Sequence, residues 1–203
     1  MSNSGNPILK NSSLFALFCL SYLPLFCLLM VKIIIDNKDY LVYDGFTIKG
    51  LIIFAKKFSF FFSLLILCLY AYIGTKITLS KIQSARASAY PVNVNSIKPK
   101  NEESLSYLIT YVIPLLTTNF TGIFEIISFI VLFVIYFKLY SSSSLIIINP
   151  ILNMKYGLYE LDYKINSTNV EIKNALIISQ RKWIDEGDEL ELIKLNHRIY
   201  FAF

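Results

Sequence analysis

The sequence has few charged residues, and its composition excludes most classes of soluble protein. Charged residues make up 16% of the 203-residue chain, whereas soluble globular domains average about 25%. Intrinsic disorder requires low hydrophobicity and high charge, so the mean hydropathy of +0.56 excludes it. Glycine is scarce, and the three cysteines lie inside apolar runs, which excludes a disulfide scaffold. A membrane protein with a small polar part fits this composition.

Residues that carry catalytic or metal chemistry are also few. The single histidine, His197, stands beside Asn196 in an expected hairpin turn. The sequence contains no HExxH, Walker, GxSxG or CxxC motif. We therefore expect no enzymatic activity, no metal and no cofactor. The tail from residue 145 to 203 has seven basic and eight acidic residues, so we also expect no direct binding to nucleic acid.

Long apolar runs predict four transmembrane helices. About 20 apolar residues cross a hydrocarbon core of about 30 Å. A polar N-terminal tail (1–13) precedes a predicted transmembrane domain over residues 14–140. Its spans are predicted near residues 14–35, 55–75, 105–117 and 123–140. The last two spans flank a polar tip, so a re-entrant pair is the alternative interpretation there.

Basic residues predict the orientation of these spans. Five of them lie in an expected wet loop at 75–104, eight follow from Lys138 onwards, and none lies in the tip at 117–122. The positive-inside rule places the loop and the tail in the cytoplasm. The abundance of isoleucine, lysine and asparagine is typical of a low-GC bacterium. We therefore expect a multi-pass protein of the bacterial inner membrane with both termini in the cytoplasm.

The apolar pattern changes its period after the fourth predicted span. Apolar and polar residues alternate between Tyr159 and Ile165, which is typical of a half-buried strand. Shorter alternating segments follow, separated by a turn at 185–188. They predict a small antiparallel β module over residues 145–203. The predicted fold class is an α-helical polytopic membrane protein with four transmembrane helices and a C-terminal antiparallel β module.

Two groups of residues are candidates for function. Glu125 is an ionisable residue inside an apolar run, which is costly and often functional, although a position near the lipid headgroups is the alternative. It lies near the expected outer tip together with Pro114 and Asn119, and these three are the candidate sensing or switch residues. In the β module, the candidate residues for docking a partner are Tyr159, Arg181, Lys182 and Trp183.

Three parts of the sequence resemble a known family. They are SLSYLITYVIP at 104–114, the pair INPILN at 148–153 and YGLYE at 156–160, and the tail segments ALIIS at 175–179 and EGDELELIKL at 186–195. Together they are similar to the KwaA family, the membrane subunits of the bacterial Kiwa antiphage system. The resemblance implies a homo-oligomer, with a tetramer favoured, and a cytoplasmic DNA-binding partner similar to KwaB.

These observations lead to one expected function and one alternative. We expect an oligomeric membrane sensor and docking subunit that recruits or releases a cytoplasmic DNA-binding effector when the envelope is disturbed. Its expected partners are copies of itself, membrane lipids and the KwaB-like protein. The alternative is an oligomeric small channel or transporter. The predicted spans contain few polar groups and show no inverted repeat, which disfavours the alternative.

Overall fold

The computed structural model describes residues 9–41, 47–100, 123–142, 149–166, 170–196 and 198–203. These residues form five α-helices and five β-strands. The helices are α1 (Asn11–Ser21), α2 (Leu23–Asp36), α3 (Ile48–Ser84), α4 (Ile123–Ser142) and α5 (Pro150–Lys155). The strands are β1 (Tyr90–Pro99), β2 (Gly157–Ile165), β3 (Glu171–Ser179), β4 (Glu189–Lys194) and β5 (Ile199–Ala202).

The five strands close into a barrel with its own core. Their order around the barrel is β1-β2-β3-β5-β4. Neighbouring strands are antiparallel except β3 and β5, which run parallel with Leu176 opposite Ile199. Alternate residues of each strand point inward, and the barrel core includes the fully buried residues Val92, Leu161, Tyr163, Ile177 and Leu192.

The helices form a second core around α1, and this core also includes buried strand residues such as Leu158, Ile178 and Phe201. Phe18 of α1 is fully buried, and its ring lies 4.9 Å from the ring of Phe133 and 5.4 Å from that of Phe137, both on α4. On another side, α1 passes so close to α3 that a Cβ added at Gly74 would lie 2.6 Å from the Cβ of Ala16. Glycine at this position therefore sets how closely α1 and α3 approach.

The helical part corrects the predicted four-span fold class. Within the residues described here, one helix is long and apolar enough to cross a membrane, the segment Ile48–Ser88. A second such element exists only if the bent pair of α1 and α2 counts as one span. The four-span prediction is therefore wrong. Of its remaining spans, 123–140 falls within α4, and 105–117 lies outside the described residues.

The break in the first predicted span has a local cause. The two helices α1 and α2 meet at 56° around Tyr22. Pro24 is the second residue of α2. Proline has no backbone N–H to donate to the carbonyl four residues earlier, and its ring clashes with that carbonyl. Hydropathy alone merges the two helices, because the apolar run continues through the break.

The β module also differs from the prediction. Strand β1 comes from residues 90–99, which were expected to form part of a wet loop. It completes the barrel by pairing with β2 on one side and with β4 on the other. The sheet is therefore neither purely C-terminal nor purely antiparallel. The short alternation of Val92 and Val94 with asparagines is the signal for β1, and the neighbouring Pro91 and basic residues obscure it.

One carboxylate fixes an irregularity between β2 and β3. The backbone N–H of Asn174 donates to Asp162 Oδ1 at 2.7 Å, and Ser96 Oγ donates to Asp162 Oδ2 at 3.2 Å. The register of β2 and β3 shifts here, and Asn174 has a positive φ of 54°. The hydrogen bond from Asn174 is the main cause that lowers the pKa of Asp162 below its ordinary value.

This lowered pKa predicts acid sensitivity of the barrel. A carboxyl group whose folded-state pKa is depressed stabilises the fold above its unfolded pKa, near 4 for aspartate, and the stabilisation is lost as the pH falls through the folded-state value. We expect Asp162→Asn to lower the melting temperature at pH 7 and to lower it less at pH 3. Thermal unfolding followed by near-ultraviolet circular dichroism measures both. Glu189→Gln, at an exposed carboxylate on β4, is the control. An equal loss at both pH values would contradict the prediction.

Candidate docking cleft

An open cleft of about 330 Å³ lies where the end of β1, the helix α5 and the start of β2 meet the loop 181–184. Its walls are mostly apolar or aromatic. The lining residues are Ile97, Pro99, Asn153, Tyr156, Gly157, Tyr159, Lys182, Trp183 and Ile184. Three of the four predicted docking residues line this cleft, and the fourth, Arg181, is the exposed neighbour of Lys182.

Tyr159 is the residue that fixes the loop of this cleft. Its side chain is buried, and its hydroxyl donates a hydrogen bond to the backbone carbonyl of Lys182. Burial raises the pKa of the Tyr159 phenol, and the negative charge of Asp185 raises it further. The phenol therefore stays protonated near neutral pH and remains a donor. Tyr159 thus positions the loop and also lines the cleft.

Gly157 allows the loop to lie against β2. A Cβ added at this residue would lie 2.5 Å from Cε2 of Tyr159 and 2.8 Å from the backbone carbonyl oxygen of Arg181. Carbon atoms do not approach backbone oxygen this closely, so a side chain at position 157 would push the loop away. The backbone N–H of Arg181 also donates to Ser179 Oγ at 3.0 Å. The close approach at Gly157 and the hydrogen bond to Ser179 hold the loop against the start of β2.

The mouth of the cleft exposes a large apolar residue. Trp183, the only tryptophan of the chain, is 87% exposed. Met154 on α5, next to the cleft residue Asn153, is 75% exposed. An exposed tryptophan that lines a mostly apolar cleft is typical of an interaction site.

Helix α5 connects this cleft to the helical core. Asn149 is fully buried and caps α5, because its Oδ1 accepts from the backbone N–H groups of Ile151 at 3.1 Å and Leu152 at 3.2 Å. Its Nδ2 donates to the backbone carbonyl of Leu17 in α1 at 2.8 Å. Leu152 of α5 lines a small apolar cavity of about 10 Å³ together with Leu17 of α1 and Leu79 of α3. One six-residue helix therefore touches both α1 and the cleft.

Sequence reasoning did not identify Asn149 as a functional residue. An asparagine followed by proline is a signal for a helix start, since asparagine caps and proline fits the first helical position. That signal predicts the cap. It does not predict the bond to Leu17, which lies 132 residues away along the chain.

The candidate sensing residues are only partly described. Pro114 and Asn119 lie outside the described residues. Glu125 lies in the first turn of α4, and its Oε2 is buried without a hydrogen-bond partner in the described part of the chain. Over the same residues, no group of three or more histidine, cysteine, aspartate or glutamate side chains is arranged to hold a metal ion.

Comparison with known proteins gives one result. No curated protein and no solved structure matches the chain. A family model described as anti-phage protein KwaA matches residues 13–201, which include all the described helices and strands except the first two residues of α1 and the last of β5. The resemblance found in the sequence is thereby confirmed, and the chain belongs to the KwaA family of anti-phage proteins.

Proposed function

We propose that the chain is a membrane-anchored sensor and docking subunit of a bacterial antiphage defence system. In this proposal its β-barrel binds a cytoplasmic DNA-binding effector similar to KwaB, and it recruits or releases this effector when the envelope is disturbed. Membership of the anti-phage family supports the defence role. The observation that carries the docking role is the exposed Trp183 at the mouth of the cleft.

The surface of α3 supports a membrane anchor. Its most apolar 18-residue window is only 11% buried, whereas the core helix of a soluble protein is mostly buried. The uncharged stretch Phe58–Thr75 has 18 residues and spans about 27 Å, close to the thickness of a hydrocarbon core. The Nζ of Lys57 lies 5.1 Å from the ring of Tyr40, and that of Lys76 lies 5.5 Å from the ring of Tyr72. Lysine and tyrosine at both ends suit the two membrane interfaces.

We place the barrel and its cleft on the cytoplasmic side of the bacterial inner membrane because the proposed effector is a cytoplasmic protein. The barrel follows the Lys76 end of α3. Basic residues flank both ends of the apolar stretch, with Lys76, Lys81 and Arg86 at this end and Lys49, Lys56 and Lys57 at the other, so the positive-inside rule gives no preference between the two ends. The backbone N–H of Leu9 donates to the carbonyl of Leu195 at 3.5 Å, so the N-terminal segment lies on the same side.

The contacts of α5 suggest how a change in the helices reaches the cleft. A displacement of α1 moves the carbonyl of Leu17 and, through the amide of Asn149, the start of α5. Asn153 and Tyr156, at the other end of this segment, line the cleft. We place the origin of the displacement near Pro114, Asn119 and Glu125. The unpartnered buried oxygen of Glu125 supports this choice, because buried polar atoms without partners are costly.

Membrane lipids and further copies of the chain are the proposed neighbours of the helices. The outer side of α4 exposes Ile127, Ile130, Val131 and Val134. Such a surface suits lipid tails or the same helices of another copy. A homo-oligomer, with a tetramer favoured, follows from the resemblance to the KwaA family.

A pull-down tests the docking role. We expect the wild-type chain, tagged at its N-terminus and extracted from its native host in mild detergent, to recover a soluble DNA-binding protein in fixed ratio. Trp183→Ala should lower this recovery at least about tenfold, because exposed tryptophans at interfaces often contribute 2 kcal/mol or more. Val170→Ala, at an exposed apolar residue next to β3, is the matched control. Equal recovery with Trp183→Ala would contradict the docking role.

The buried carboxylate oxygen of Glu125 is the one observation that favours the alternative function, an oligomeric channel or transporter. An ionisable group in an apolar helix often lies on an ion pathway. Conductance of the purified chain in planar bilayers tests this alternative. A conductance that disappears in Glu125→Ala would favour it, and the absence of conductance would leave the docking subunit as the remaining proposal.

A further inference from the structure

We infer that the cleft receives an apolar or aromatic side chain presented by an acidic segment of the partner protein. This inference rests on the docking function proposed above and specifies the chemistry of the partner. Three properties of the cleft lead to it, namely its volume, the character of its walls and the charge around its mouth.

The volume suits an inserted side chain. A cleft of about 330 Å³ lies at the lower end of the range for binding pockets, about 300–1,000 Å³. It can therefore hold one or two large side chains and is too small for a folded element. A protein that binds here must insert part of an exposed segment.

The walls of the cleft favour an apolar group. Ile97, Pro99 and Ile184 contribute aliphatic surface, and Tyr156 and Tyr159 contribute aromatic surface. Burial raises the pKa of both tyrosines, so neither carries charge near neutral pH. The hydroxyl of Tyr159 is already bonded to the loop. A polar side chain entering the cleft would lose its hydration and find few partners, which costs free energy.

The charge around the mouth favours an acidic segment. Lys155, Arg181 and Lys182 are exposed, and none of them forms an ion pair within the described residues. The acidic residues Asp185, Glu186 and Asp188 follow Trp183 in the loop, and Asp188 Oδ2 accepts from the backbone N–H of Asp185 at 3.1 Å. The three basic and three acidic residues therefore balance in number, but the basic ones are Lys155 on α5 and the pair that precedes Trp183. A nearby lysine, Lys100, pairs with Glu160 at 3.1 Å.

The distribution of these charges matters more than their sum. The two basic residues Arg181 and Lys182 precede Trp183 in the loop, and the Nζ of Lys155 on α5 lies 5.7 Å from the ring of Tyr156, which lines the cleft. A segment that crosses the mouth from α5 to the loop thus meets a lysine or arginine on each of these two elements. Charge complementarity of this kind accelerates association and selects the partner. Tryptophan and arginine are also the residue types enriched at the energetic centre of interfaces.

The single tryptophan makes this inference directly testable. Because Trp183 is the only tryptophan of the chain, the fluorescence of the whole protein reports on the mouth of the cleft. We would reconstitute the full chain in nanodiscs of zwitterionic phosphatidylcholine. The probes are three capped hexapeptides, EELFEE, KKLFKK and EESSEE.

The expected result is a saturable shift of the emission to shorter wavelength with EELFEE. KKLFKK should bind at least tenfold more weakly, and EESSEE should cause no shift. Lys182→Glu should reverse the preference between the two LF peptides, whereas Lys194→Glu, at an exposed lysine on β4, should leave it unchanged. No shift with any peptide, or equal shifts with EELFEE and KKLFKK, would overturn the inference.

Two further arms distinguish other occupants of the cleft. A shift without peptide in nanodiscs that contain anionic phosphatidylglycerol would overturn the inference in favour of a lipid surface. A shift that depends on the number of chains per disc would overturn it in favour of a second copy. If the pull-down still recovers a partner that needs Trp183 while the peptides fail, the docking function stands and only the partner chemistry is wrong.

Discussion

Asn149→Ala is expected to abolish phage defence and to unfold α5 locally, while both cores stay intact. The substitution removes the cap of α5 and the bond to the Leu17 carbonyl. Loss of a helix cap costs about 1 kcal/mol, and loss of a buried hydrogen bond costs about 1–3 kcal/mol more. A helix of six residues has little stability of its own. Hydrogen exchange of the amides 151–155 should accelerate at least about thirtyfold, which corresponds to 2 kcal/mol.

The variant Asn149→Ser separates the two roles of this side chain. A serine hydroxyl can cap α5, but it has no amide group to reach Leu17. We expect slow exchange in α5 and a loss of defence, measured as plaque formation by phage on cells that carry the variant. Full defence in Asn149→Ser would show that the bond to Leu17 does not transmit the signal.

Phe18→Ala is expected to produce the largest loss of stability in the helical core. The ring is fully buried and also lies 4.9 Å from that of Tyr22 and 5.3 Å from that of Tyr140. Truncation of a buried phenylalanine leaves a cavity and costs about 3–5 kcal/mol. The melting temperature of the purified chain in detergent should fall by roughly 10 °C.

A matched substitution on α3 checks the cause of this effect. Phe62 is 43% exposed on the outer side of α3, so Phe62→Ala creates no comparable cavity. We expect its melting temperature to stay within about 2 °C of the wild type. If both variants lost the same stability, the tight aromatic packing around Phe18 would not be the source of the loss.

Local patterns predict the elements of this chain better than their assembly. The alternation from Tyr159 to Ile165 predicts a strand, and β2 covers Gly157–Ile165. The same reasoning merges α1 with α2, because a hydropathy average does not detect the backbone break before Pro24. It also leaves β1 in a loop, since the pairing of β1 with β2 and β4 joins residues about 60 to 100 positions apart. No local pattern contains that information.

The candidate site likewise combines residues that are adjacent in the sequence with residues that only the fold brings together. Arg181, Lys182 and Trp183 are adjacent in the sequence, so their grouping is visible without a structure. The cleft beneath them is not, because it requires Ile97 and Pro99 from β1 beside Tyr156 and Gly157. Position 157 requires glycine because an added Cβ would lie 2.8 Å from the carbonyl oxygen of Arg181. Such a requirement depends on distances in the fold, and the composition of the segment does not predict it.

The strand order of the barrel has a consequence for the timing of its synthesis. The two neighbours of β4 in the barrel are β1 and β5, and β5 begins about 100 residues after β1 ends. At about 5–20 residues per second, the ribosome therefore completes β5 roughly 5–20 s after β1. During this interval α4 is made and β1 has no complete sheet to join. The barrel can close only after translation has passed α4, so a nascent chain that stops before β5 has all the residues of the cleft but no closed barrel to hold them.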